Sequence, residues 1–218
     1  MTSEYTECPN CGAKLKTSLF SYNEILSINK INIINEYHPK KAAAYCGKCG
    51  DELYKQYQSK SIEEKDKLST DLQVLIEAVP VVSLHSPQGW NYDILGMVTG
   101  QSTTGTGVVS EFTSSFTDFF GMQSGSYNKK IKAGENLCFA QLRKQALDMG
   151  GNAVIGTDID YSEVGGEKGM LMVCMAGTAI KIKNTESLGT ERNLELEQLI
   201  KLYKRLKMLN RFNTNENW

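Results

Sequence analysis

Residues 127–161 read YNKKIKAGENLCFAQLRKQALDMGGNAVIGTDIDY, and this stretch decides the fold. Ile131, Cys138, Leu142, Ala146 and Met149 recur at steps that bring them to one side of a helix over 127–149. Gly150 and Gly151 end it, as glycine commonly does where a helix turns through positive φ. From Ala153 to Tyr161 the period changes to two, the period of a strand. A helix running through a glycine pair into a strand predicts an α+β domain.

Working outward, Val81–Leu84 and Ile94–Val98 are strand candidates upstream, and Met170–Lys183 is a strand downstream beyond the turn-like EVGGEKG. Residues 80–184 form the main domain in this reading. Met170 to Ala176 (MLMVCMA) is apolar at every position, so both faces of that strand need cover. One helix covers one face of so small a sheet. A second copy is the simplest cover for the other, with Gly165, Gly166, Gly169 and Gly177 permitting close approach, so a homo-oligomer is expected.

Residues 58–79 read as a connecting helix, with Ser61 and Glu64 as a capping box, a stripe of Leu68, Leu72, Leu75 and Ile76, and Pro80 as its stop. Residues 185–218 carry a C-terminal amphipathic helix and a frayed tail, NTNENW. Its stripe, Leu199, Leu202, Leu206 and Leu209, is narrow and suits packing on another helix, in the same subunit or in a partner. Five basic residues lie between Lys201 and Arg211, with no acidic one.

Residues 1–57 contain CPNCG at 8–12 and CGKCG at 46–50. In each knuckle two thiolates converge on one ion, and Gly12 and Gly50 allow positive φ with amides turned toward sulfur. Cys8, Cys11, Cys46 and Cys49 together close a tetrahedral shell at Zn–S distances of about 2.3 Å and leave no position for a substrate. One structural zinc per chain is therefore expected, with iron as the chemical alternative. The 34 residues between the pairs imply a ribbon with an inserted helical piece, in which Ile25, Ile28, Ile31 and Ile34 recur near every third position. Pro39 divides that piece.

The chain has 218 residues, is 40% apolar and has a net charge of −1, so no global field favours polyanions. Residues 1–57 hold seven Lys and six Asp or Glu, weak footing for phosphate, so a nucleic acid is not expected as a partner. A protein partner through the zinc ribbon or the C-terminal helix fits better. With no apolar run near the roughly 18 residues of a membrane span, and with paired C-x2-C in place of a dense disulfide framework, a cytoplasmic protein is expected.

The passages ILGMVTG (94–100), SFTDFFG (115–121), SGSY (124–127), MGGNAVIGTDIDY (149–161) and GMLMVCMAGTAI (169–180), in that order, resemble the YbjQ-like family, also called a heavy-metal-binding domain. The resemblance implies a dodecin-like layer of strands and one main helix that assembles into a ring, typically a pentamer. It brings no fixed catalytic triad. Where many members carry Gly-Gly-Arg-Ser, this chain has Gly121, Met122, Gln123 and Ser124, so any anion-binding role of that arginine is absent.

Asp158 and Asp160 share one face of their strand, opposite Ile155, Ile159 and Tyr161, and are the candidates for a second metal site with Asp118 or Glu163. A solvated strand face explains the same pattern. Cys138 and Cys174 read as small buried hydrophobes, with a soft-metal site alongside Met172 or Met175 as the sharper alternative. His38 and His85 have no partner pattern, and Ser126 and Tyr127 suffice as a helix cap. The expected function is a non-enzymatic, zinc-containing oligomeric scaffold. The alternatives are a metal or small-ligand sensor with a second site on the ring domain, and a hydrolase using Asp118, Asp158 or Asp160.

Overall fold

The structure, a computed structural model, describes residues 5–18, 21–104, 126–164 and 170–212. The chain divides into two units, one of Met1–Thr70 with Lys204–Trp218 and one of Asp71–Tyr203, with the boundaries falling inside two helices. It is a mixed α+β protein.

The first unit opens with a hairpin of β1 (Lys16–Ser18) and β2 (Ser21–Asn23), followed by α1 (Ile28–Tyr37) and α2 (Gly47–Leu75). Ser27 caps α1 by accepting from the Lys30 N–H, and α1 ends just before Pro39. Its buried face is Ile31, Ile33 and Ile34, whereas Ile28 is 71% exposed, so the three-residue stripe does not hold as drawn. The reason is the company the helix keeps: the core partners are Tyr45, Tyr54 and Tyr57, which meet the Ile33–Ile34 side.

Helix α2 begins at Gly47, well before residue 58. Its first amides already have partners, since Gly47 N–H donates to Glu24 O at 3.0 Å and Lys48 N–H to Asn23 Oδ1 at 3.4 Å. Ser61 therefore sits buried within a helix instead of starting one, and Glu64 accepts hydrogen bonds from Tyr37 and Arg205. The helix closes through a 3-10 turn at Ile76–Ala78, ahead of Pro80.

The second unit is built on an antiparallel sheet of β3 (Tyr92–Thr104), β4 (Ala153–Val164) and β5 (Met170–Ile182) in the order β3-β5-β4, with α3 (Ser126–Asp148) across one face. Helix α4 (Thr190–Leu209) follows. Gly150 ends α3 at φ 83°, and Gly151 N–H returns to Ala146 O at 2.8 Å. Cys138, Leu142 and Ala146 are fully buried, while Met149, beyond the last turn, is 43% exposed. Val81–Leu84 forms no named strand but runs parallel beside β4, bridging Val81 to Val154, with Val82 N–H donating to Val154 O at 2.9 Å, Thr157 N–H to Val82 O at 3.0 Å and Gly156 N–H to Leu84 O at 2.9 Å. Gly156, at φ 59°, bulges β4 between Ile155 and Asp158 and breaks the register that a longer strand would need.

Strand β5 has two different faces. Val173, Met175 and Ala179 pack under α3 with Val98, Cys138 and Leu142. On the opposite face Ile180 and Ile182 join Ala153 and Ile155 beneath Val82, Trp90, Tyr92 and Leu188. The rest of that face is open, with Cys174 and Ala176 half-buried and Met97 72% exposed. On α4, Leu196, Leu199 and Leu209 are fully buried and Leu202 and Leu206 half-buried, so the stripe faces protein. Among the described residues no helix is long and apolar enough to cross a membrane. Gly121–Ser124, Gly165, Gly166, Gly169 and the tail NTNENW lie outside the described residues.

Candidate metal centre

The first knuckle is a tight turn in which Gly12 N–H donates to Cys8 O at 2.8 Å and Cys8 N–H to Ala13 O at 2.8 Å. Gly12 takes φ 70° with open space around it, as the spacing predicts. The second knuckle is different. Cys46 immediately precedes α2, Cys49 lies in its first turn, and Gly50 N–H donates to Cys46 O at 2.8 Å. Gly50 is helical, not left-handed. It is needed for close packing, since a Cβ there would fall 2.5 Å from Leu26 Cδ1 and 2.8 Å from Tyr45 Cβ.

The four thiols converge, with all Sγ atoms within 4.8 Å of one another. Cys8 and Cys49 are 3.6 Å apart, Cys11 and Cys46 3.8 Å, and Cys46 and Cys49 3.8 Å. A tetrahedron with metal–sulfur bonds of about 2.3 Å has edges of about 3.8 Å, whereas a disulfide needs about 2.05 Å. All four cysteines are free. The donor set and its spacing fit one tetrathiolate-bound ion.

The surroundings make these thiols unequal. Burial pushes Cys8 up, but backbone hydrogen bonds from Cys11, Asn10 and Cys46, with a contact to Cys49, outweigh it and bring the thiol down to about 7. Burial pushes Cys49 up to about 12, opposed by hydrogen bonds from Asn10 and Cys46. Asn10 Nδ2 lies 3.4 Å from Cys49 Sγ as a donor, and the N-terminus of α2 favours negative charge at the same place. Asn23 is buried and ties the two knuckles, donating to Lys14 O at 3.1 Å and accepting from Lys48 N–H. Neither asparagine is visible in the cysteine spacing that reveals the site.

Asp158 and Asp160 share the open sheet face and are exposed, opposite Ile159 and Tyr161 as expected, but the bulge at Gly156 shifts the alternation and brings Ile155 to their own face instead of the opposite one. They line a cavity of about 340 Å³ with Thr99, Gln101, Cys174 and Ala176. Asp160 Oδ1 is engaged by its neighbour's backbone, accepting from Tyr161 N–H at 2.9 Å. Among the described residues, the group of three or more close metal-ligating side chains is the four-cysteine cluster. Asp118 and the Glu163 side chain lie outside the described portion.

Cys138 is fully buried beside Val173 O at 3.4 Å, and burial pushes its thiol up to about 11. Cys174 is on the other face of β5, so strand alternation sets Cys138 with Met175 and Cys174 with Met172. His38 Nδ1 is 3.0 Å from Tyr57 Oη, and the His85 ring lies against Gly156. The side chains of Ser126 and Tyr127 are outside the described ones.

Residues 79–183 match the family described as "Putative heavy-metal-binding" (YbjQ). Among solved structures, the chain is similar to a crystal structure of a protein of unknown function of the DUF74 family from Pediococcus pentosaceus ATCC 25745. The two are 18% identical with a TM-score of 0.32, over 49% of this chain and 100% of that one.

Proposed function

We propose, from the match of residues 79–183 to the YbjQ family, that the protein is a non-enzymatic, zinc-holding scaffold assembled from copies of itself. The observation that carries the reading is the convergence of Cys8, Cys11, Cys46 and Cys49 at tetrahedral-edge spacings. Four thiolates fill the shell, so the ion is structural, one per chain, and zinc suits a tetrahedral all-sulfur site with no redox role. The free thiols fit a reducing cytoplasmic setting.

The half-open second face of β5 supports contact with another copy, and the family resemblance supplies the ring and its five-fold count. The metal module and α4 are the surfaces proposed for a protein partner. Native mass spectrometry tests both parts at once. The expected species has five chains and one zinc per chain. Absence of metal near one equivalent overturns the zinc reading, and a species of 24.3 kDa at micromolar concentration overturns the assembly.

One observation favours a second reading, a sensor of metal or small ligand. The cavity on the open face gathers Asp158, Asp160 and Cys174. A second bound equivalent in the same spectrum would favour it.

A further inference from the structure

Two glutamines of α3 lie along the outer edge of β3 and pair with its backbone. Gln145 Oε1 accepts from Thr99 N–H at 3.2 Å, and its Nε2 donates to Thr99 O at 2.5 Å. Gln141 Oε1 accepts from Gln101 N–H at 2.8 Å, and its Nε2 donates to Gln101 O at 3.2 Å. Each side-chain amide thus offers the donor and acceptor that a neighbouring strand would offer.

The match follows from the two periods. Four residues of helix rise about 6 Å and two residues of strand about 6.6–6.8 Å, so positions i and i+4 meet positions i and i−2 on an antiparallel strand edge. Gly100 allows the helix to come this close, because a Cβ there would fall 2.7 Å from Cys138 O and 2.9 Å from Cys138 Cα.

Strand β3 is an edge strand in the order β3-β5-β4. From Ile94 to Thr104 it carries no charge and no proline, the usual guards of an exposed edge. The other edge, β4, is already occupied near its start: Val82 N–H donates to Val154 O, and Val154 N–H donates to Pro80 O. The β3 edge is also self-complementary. A two-fold antiparallel pairing centred on Gly100 would set Thr99 of one copy against Gln101 of the other, twice, at the four backbone groups the glutamines now hold.

We propose that Gln141 and Gln145 close the β3 edge, and that the occupant they exclude is a second copy of this chain adding its own β3. Copies that assemble then meet elsewhere than on this edge. The inference stands apart from the metal reading.

Hydrogen–deuterium exchange tests it first in the natural chain, where Thr99 and Gln101 amides exchange slowly and the outward Thr103 amide exchanges fast. The Gln141→Met/Gln145→Met variant keeps side-chain length and helix propensity but removes the amides. At low micromolar concentration its Thr99 and Gln101 amides exchange about tenfold faster or more, and its mass by light scattering rises with concentration above that of the natural chain. Unchanged exchange at those two amides, or equal mass at every concentration, overturns the proposal. The Gln141→Glu/Gln145→Glu variant keeps an acceptor for each N–H and adds charges that oppose a second copy. It does not assemble further; if it assembles as the Met variant does, lost packing is the cause and the proposal fails.

Discussion

Arg205 holds Glu64 across 141 positions of sequence, with Nε to Oε1 at 2.7 Å and Nη2 to Oε2 at 3.0 Å. Its remaining arm reaches Glu36, and Tyr37 donates to Glu64 Oε2 at 2.8 Å. The guanidinium fork matches the carboxylate at two points, and all three charged side chains are less than a third exposed. This ties the end of α4 to α1 and α2 within the unit that holds the cysteines.

Arg205→Ala leaves two acidic groups facing each other and lowers stability by about 2 kcal/mol at pH 7. The Arg205 hydrogen bond holds the Glu64 carboxyl below its usual range against the opposing effect of burial. A carboxyl depressed on folding contributes stability above its unfolded value, about pH 4.3, and loses it as pH falls through the lower folded value. Denaturant titrations across that acid range should show a steeper loss for the natural chain than for the variant. Identical slopes would remove the coupling.

Metal loading should expel protons. Without an ion, Cys49 is pushed up to about 12 and so is protonated at pH 7, while Cys8, near 7, is about half ionised. A zinc that takes four thiolates releases between about three and four protons at pH 7, and affinity falls as pH drops. Calorimetry in buffers of different ionisation enthalpy counts them. A release below one proton, with affinity flat from about pH 6 to 8, would contradict a four-thiolate shell.

The elements that local pattern alone controls were the legible ones. Cys138, Leu142 and Ala146 mark the core side of α3, and Gly150 marks its end, because helix period and left-handed φ act within a few residues. The four cysteines were legible because metal geometry fixes their spacing. What escaped depends on distant contacts. Ser61 and Glu64 satisfy the local rule for a helix start, yet Arg205 claims Glu64 and Asn23 lets α2 begin at Gly47. Gly50 looked like a left-handed turn residue, but its need for no Cβ comes from Leu26 and Tyr45. The bulge at Gly156 and the pairing of Gln141 and Gln145 with β3 likewise have no signal in spacing.

Asn152 offers a test of how the glycine pair is anchored. It is 5% exposed, donates from Nδ2 to Ile182 O at 3.0 Å and accepts at Oδ1 from Ile182 N–H at 2.7 Å. Asn152→Leu orphans both backbone groups of Ile182 and should cost about 3 kcal/mol. Asn152→Asp keeps the acceptor, loses the donor and should fall between. A denaturation midpoint for the Leu variant equal to that of the natural chain would show that Ile182 finds other partners.

Replacing Asp158 and Asp160 together by asparagine should leave metal content at one equivalent per chain. Positions i and i+2 on a strand lie about 7 Å apart, too far for two carboxylates to close on one small cation without further donors. Both side chains are exposed, Asp160 already accepts from Tyr161 N–H, and the cluster with metal-sharing spacing among the described residues is made of cysteines. Asparagine keeps the size and the acceptor oxygen, so the fold should be indifferent to the change. Elemental analysis of both proteins after dialysis against excess divalent metal reads the outcome. A drop from two equivalents to one in the variant would assign the open sheet face to metal after all and favour the sensor, whereas an equal single equivalent leaves the four thiols as the metal site.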